Sequence, residues 1–149
     1  MAVSRWQALL APKGVELLLL RESGNRALVY VYRPDRLARD LQQPGVAAFL
    51  AHCGYTGTAP AACLDVLRRK LAVSSDFPHE IGVFLGYPLT DVVGFIENQG
   101  RNFTCCGCWK AYGDPDAAAR HFAQLNKCTR VYLRLFHEGT PIFRLAVAA

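Results

Sequence analysis

The chain has 149 residues, 52% of them hydrophobic and 19% charged, which suits one globular core and leaves little room for two full domains or a disordered chain. Seventeen Lys and Arg against twelve Asp and Glu give a net charge of +5. The positive residues fall mostly singly, Arg68-Arg69-Lys70 being the densest group, so nucleic acid is disfavoured as a partner, and no apolar run approaches the roughly 20 residues of a membrane span. The first residues lack the h-region and cleavage site of a secretory signal, and a cytoplasmic location is expected.

In chain order, Val15–Arg21 and Ala27–Arg33 read as two strands joined by a Gly24-containing turn, an opening hairpin. Pro34-Asp35 starts a helix carrying Leu37 and Leu41, which ends at Pro44-Gly45. Val46, Phe49, Leu50 and Cys53 lie at i, i+3, i+4 and i+7 before Gly54, and a third helix runs from Pro60 to about Val73 with Leu64, Leu67 and Leu71 inward. Ile81, Val83 and Leu85 fit either a buried strand or a short helix capped by Gly86. Pro88–Asn98 reads as a helix with Leu89, Val92, Val93 and Ile96 on one face, and Phe103–Tyr112 as a strand. Asp114-Pro115 opens a long helix that ends at Gly139 and sets Ala118, Phe122, Leu125, Thr129, Tyr132, Leu133 and Phe136 near one face. Ile142–Val147 completes the chain as a last strand, and the alternation of elements predicts two right-handed crossovers. The expected fold is α/β (or α+β): a tail at residues 1–14, then a single globular domain over 15–149 with a mixed sheet, an N-terminal hairpin and helices packed on it. Phe49, Leu67, Ile96, Phe122 and Leu125 are its expected core.

The succession Phe77-Pro78-His79-Glu80-Ile81-Gly82, Phe84-Leu85-Gly86-Tyr87-Pro88, Asp91-Val92, Gly94-Phe95-Ile96-Glu97-Asn98, Cys106-Gly107 and Trp109-Lys110 resembles the bacterial domain-of-unknown-function 3793 family. The likeness extends through Tyr112, Cys128-Thr129 and Tyr132, and back to Leu28-Val29-Tyr30-Val31-Tyr32-Arg33. Members of that family commonly carry an aromatic residue at the position of Cys108, so the resemblance implies that Cys106 is the cysteine of general interest. It also implies a link to redox or iron metabolism.

Six cysteines in a reducing compartment read as core residues, ligands or nucleophiles before disulfides. Cys53 and Cys63 fall on apolar helix faces, and Cys128 lies beside the core stripe of the long helix, partly shielded. Cys105 and Cys108 have C-x-x-C spacing, but on a strand their side chains point to opposite faces, so no redox dithiol is expected. Period two instead groups Cys106, Cys108, Lys110 and Tyr112, where an ammonium favours thiolate and a phenol can bond a bound anion. A zinc site lacks its second ligand pair, and no metal is assigned. His79-Glu80 is the minimum kit for proton transfer, although a backbone-bonded structural His explains it equally, and Tyr87-Pro88 could line a crevice or merely form a turn. The leading expectation is a small-molecule or cofactor-binding accessory domain, its pocket between the His79–Pro88 region and the Cys106–Tyr112 strand, with no cofactor identified. Its partners would be a small molecule or a redox protein. The alternatives are a thiol-dependent enzyme, with Cys106 as nucleophile, His79 as base and Lys110 in electrostatic support, and a protein-interaction module.

Overall fold

Proline and glycine set the element boundaries through the first half of the chain. In the computed structural model, which describes residues 2–74 and 76–148, helix α1 (Ala2–Leu10) and a 3-10 turn (Ala11–Lys13) lead into strands β1 (Glu16–Ser23) and β2 (Arg26–Tyr32). These pair antiparallel from Glu16↔Tyr32 to Ser23↔Arg26, with an irregularity between Leu19 and Arg21. The two-residue turn is possible because Gly24 takes φ +56°, a left-handed conformation that a Cβ would strain. Helix α2 (Pro34–Leu41) opens on a proline whose missing N–H costs nothing there, and it buries Leu37 and Leu41 four residues apart. Helices α3 (Val46–His52) and α4 (Pro60–Val73) bury Val46, Leu50, Cys63, Leu64, Leu67 and Leu71, and α5 (Ile81–Phe84) follows. Residues 2–87, with 148, form one compact unit around these side chains.

The second unit, Pro88–Val147, contains α6 (Leu89–Glu97), a minimal hairpin of β3 (Cys105–Cys106) and β4 (Lys110–Ala111), α7 (Pro115–His137) and α8 (Ile142–Leu145). The Asp114 carboxylate caps α7 as its sequence predicts, accepting from the Asp116 and Ala117 amides at 2.9 and 3.3 Å. At the other end Gly139, at φ +94°, lets the Thr140 amide reach back to Leu135 O. Trp109 meets Phe122 edge-on, with centroids 4.7 Å apart, and fixes the hairpin against α7.

Helices and strands combine as the α+β expectation has it, but three expectations change. The residues 103–112 form a hairpin, not one strand: the chain turns at 107–109, where Gly107 packs so closely on Phe122 that a Cβ would lie 2.3 Å from the ring. The residues 142–147 form α8 and a short tail, because a brief apolar run does not distinguish strand from helix. For residues 81–84, where the sequence leaves strand and helix both open, the short helix forms, with Gly86 at φ +77° after it. Among the described residues the sheets are two-stranded and antiparallel, so they contain no right-handed crossovers. Of the five expected core residues, Leu67 and Phe122 are buried, Phe49 and Leu125 are half-buried, and Ile96 is exposed. The buried face of α6 is instead turned toward Asp91, Val92 and Gly94. Tyr132, Leu133 and Phe136 on α7 are exposed too.

Candidate functional site

Strand alternation sends Tyr30 and Tyr32 to one face of β2, where their rings stack at 4.6 Å and 5°. Both hydroxyls are occupied: Tyr30 Oη donates to the Phe84 carbonyl, and Tyr32 Oη donates to Glu16 Oε2 at 2.8 Å. Burial, reinforced by the Glu16 carboxylate, pushes the Tyr32 phenol up to about 12, and burial raises Tyr30 further. The chain then turns into α2, whose first turn carries Arg36 and whose second carries Asp40 at i+4, Nε to Oδ2 being 3.5 Å. Arg33 Nη1 donates to the Lys13 carbonyl at 2.7 Å. With the Phe84-Leu85-Gly86 segment, these groups enclose a cavity of about 320 Å³. Leu37, Phe84 and the two tyrosines line it together with the guanidiniums of Arg33 and Arg36 and the Asp40 carboxylate. Gly86, at φ +77°, lies beside Asp40 in this wall, and a Cβ there would make an ordinary 3.4 Å contact with Oδ2.

Glu80 explains how the following segment is fixed. It is buried, and its Oε1 accepts from Lys70 Nζ and, at 3.3 Å, from Tyr55 Oη. Lys70 Nζ also donates to the Cys53 carbonyl at 2.6 Å and lies 4.9 Å from the centre of the Tyr55 ring. Burial and the Glu80 charge hold the Tyr55 phenol well above its ordinary range and raise the Cys53 thiol; burial alone raises Cys63. The group ties α4 and the loop after α3 to the turn that begins α5. A second cavity, of about 520 Å³, lies beside it against Val73, Phe77 and Pro78.

His79, in that turn, is exposed, and its carbonyl accepts from the Gly82 amide. Tyr87 is half-buried, its amide bonded to Gly82 O at 2.9 Å, and it directly follows the cavity-lining Leu85-Gly86. In the second unit Cys106 and Lys110 are register partners across β3 and β4, so they share a face as neighbours on facing strands. Lys110 Nζ donates to Gly100 O at 2.7 Å and sits 5.2 Å from the Phe103 ring centre. Cys108 belongs to the turn and not to the face it was expected to share, with Sγ 3.8 Å from Asn126 Oδ1. Tyr112 lies beyond β4, its ring against Gly94, and burial followed by the Asp91 charge pushes its phenol up. Cys106, Cys108 and Cys128 are exposed free thiols, which corrects the expected shielding of Cys128. Among the described residues no three His, Cys, Asp or Glu side chains converge to hold a metal ion, and no helix is long and apolar enough to cross a membrane.

The sequence assigns no site role to Tyr30, Arg33, Arg36, Asp40, Leu85 or Gly86, which the fold brings to the cavity. The available signals were the same-face pair Tyr30 and Tyr32 and the i,i+4 pair Arg36 and Asp40; their meeting with Phe84–Gly86 is tertiary. Asp91 was also missed: it is buried on α6 because its carboxylate accepts from Trp109 Nε1 and the Tyr112 amide, each at 2.8 Å. The family described as "Protein of unknown function (DUF3793)" matches residues 1–146. No curated protein and no solved structure matches the chain.

Proposed function

The chain belongs to the DUF3793 family, and from that premise we propose that it is a small-molecule-binding accessory domain whose site is the cavity between β2, α2 and the segment after α5. One observation carries this reading. Two stretches on which the family resemblance rests, residues 28–33 and 84–88, meet at this cavity, where apolar and charged side chains line one space. About 320 Å³ is at the lower end of the usual range for ligand pockets, so the ligand is small. The lining offers arginines and a carboxylate but no cysteine, so binding here does not depend on the thiols of β3.

The test is thermal stabilisation across a panel of organic acids, nucleotides and neutral ring compounds, with Leu85→Trp as the filled-cavity control. Leu85 is half exposed, so the larger ring can be accommodated without disturbing the core. A compound that raises Tm in the native chain but not in Leu85→Trp supports the site. Stabilisation that is equal in both proteins, or absent across the panel, contradicts it.

A further inference from the structure

The chemistry of the lining narrows the ligand, given the reading of this cavity as the binding site. A tyrosine pair at a pocket commonly supplies hydroxyl donors, but here both hydroxyls are already spent on Phe84 O and Glu16. Tyr30 is buried against Tyr32, so the accessible ring surface of the pair is that of the half-buried Tyr32. Polar recognition therefore falls to Arg33, Arg36 and Asp40, which together carry one net positive charge. Arg33 is aimed by the Lys13 carbonyl. Arg36 meets Asp40 through a single 3.5 Å contact, and its side chain is 65% exposed. Such an exposed pair contributes little, so the guanidinium can turn from Asp40 to a better acceptor at small cost. A planar fork of N–H donors matches a carboxylate, sulfonate or phosphate.

We infer that the cavity takes a small organic monoanion, its body set against the half-buried Tyr32 and its acid group held by Arg36 with Arg33. Asp40 limits the charge accepted, since a second negative group on the ligand would face its carboxylate.

A matched pair of probes tests this: 8-anilinonaphthalene-1-sulfonate, and N-phenyl-1-naphthylamine, which has the same rings without the sulfonate. Both are titrated by fluorescence into the native chain, Arg36→Gln, Asp40→Asn and Leu85→Trp. Arg36→Gln is expected to weaken the sulfonate by about fivefold or more, as loss of one charge-assisted contact does, while the neutral probe stays within about twofold. Asp40→Asn is expected to tighten the sulfonate. If Arg36→Gln leaves the sulfonate unchanged, or weakens both probes alike, the anion inference is overturned while the cavity stands. If Leu85→Trp leaves binding of both probes intact, the site itself is wrong.

Discussion

Removing the Glu80 carboxylate should unfold the first unit well before the native chain, for reasons that can be counted. Glu80→Ala leaves the Tyr55 hydroxyl without its acceptor and the Lys70 ammonium with only the Cys53 carbonyl and the Tyr55 ring. Breaking a buried pair by deleting one partner costs about 3 to 5 kcal/mol. Here the Lys70 side chain is 33% exposed and can recover some water, which brings the expected loss to about 2 to 3 kcal/mol. That is a large share of the roughly 5 to 15 kcal/mol that holds a domain together. Replacing both partners, as in Lys70→Met with Glu80→Leu, should cost less than Glu80→Ala, because no charge is left stranded. Urea unfolding of the native chain, the single variants and the double variant gives these values, provided the slope is unchanged. A Glu80→Ala loss below about 0.5 kcal/mol, or a double variant less stable than either single one, would refute the argument that this carboxylate anchors the start of α5.

Four further outcomes follow from the structure. Gly94→Ala, which in an open helix would stabilise by about 1 kcal/mol, should destabilise here, since the new Cβ would lie 2.4 Å from the Tyr112 ring; an increase in Tm would contradict that packing. Leu133→Ser with Phe136→Ser should change stability by less than about 1 kcal/mol in total, as both side chains are about half exposed, and a larger loss by urea unfolding would mean that this face is covered. Brief iodoacetamide labelling followed by peptide mapping should find Cys106, Cys108 and Cys128 modified before Cys53 and Cys63, whose thiols burial pushes up; early labelling of Cys63 would contradict its placement. The raised Tyr32 phenol favours the neutral form in the folded chain, so its contribution to stability is complete below pH 10 and is lost as pH rises through about 12; unfolding midpoints that stay flat across that window would refute it.

Much of the helical framework was legible because its signals are local. Pro34, Pro60 and Asp114-Pro115 mark helix starts, and the leucines at 37 and 41 and at 64, 67 and 71 fix the inward faces. The opening hairpin was legible for the same reason. Residues 103–112 were not, because Gly107 and Cys108 look unremarkable in a strand pattern, and the close approach of Phe122 to Gly107 is a tertiary contact. Ile96 fails as a core residue since α6 rotates to bring a carboxylate, Asp91, to the hairpin, and hydrophobic spacing gives no hint of such a choice. The long helix misled differently. Its apolar stripe is real, yet stripe and burial are separate facts, and Tyr132, Leu133 and Phe136 remain exposed. The cavity was hidden because its halves lie some fifty residues apart, and hydroxyl bonds such as Tyr30 to Phe84 O cannot be read from either segment alone.

The central claim is that the cavity of the first unit is the binding site, and the most direct measurement is a backbone amide NMR titration of the full chain with 8-anilinonaphthalene-1-sulfonate. Saturable shifts concentrated at Tyr30–Leu37 and Phe84–Tyr87 are expected. Shifts confined to the exposed face of α7 and to α8, or scattered and unsaturable, would contradict it.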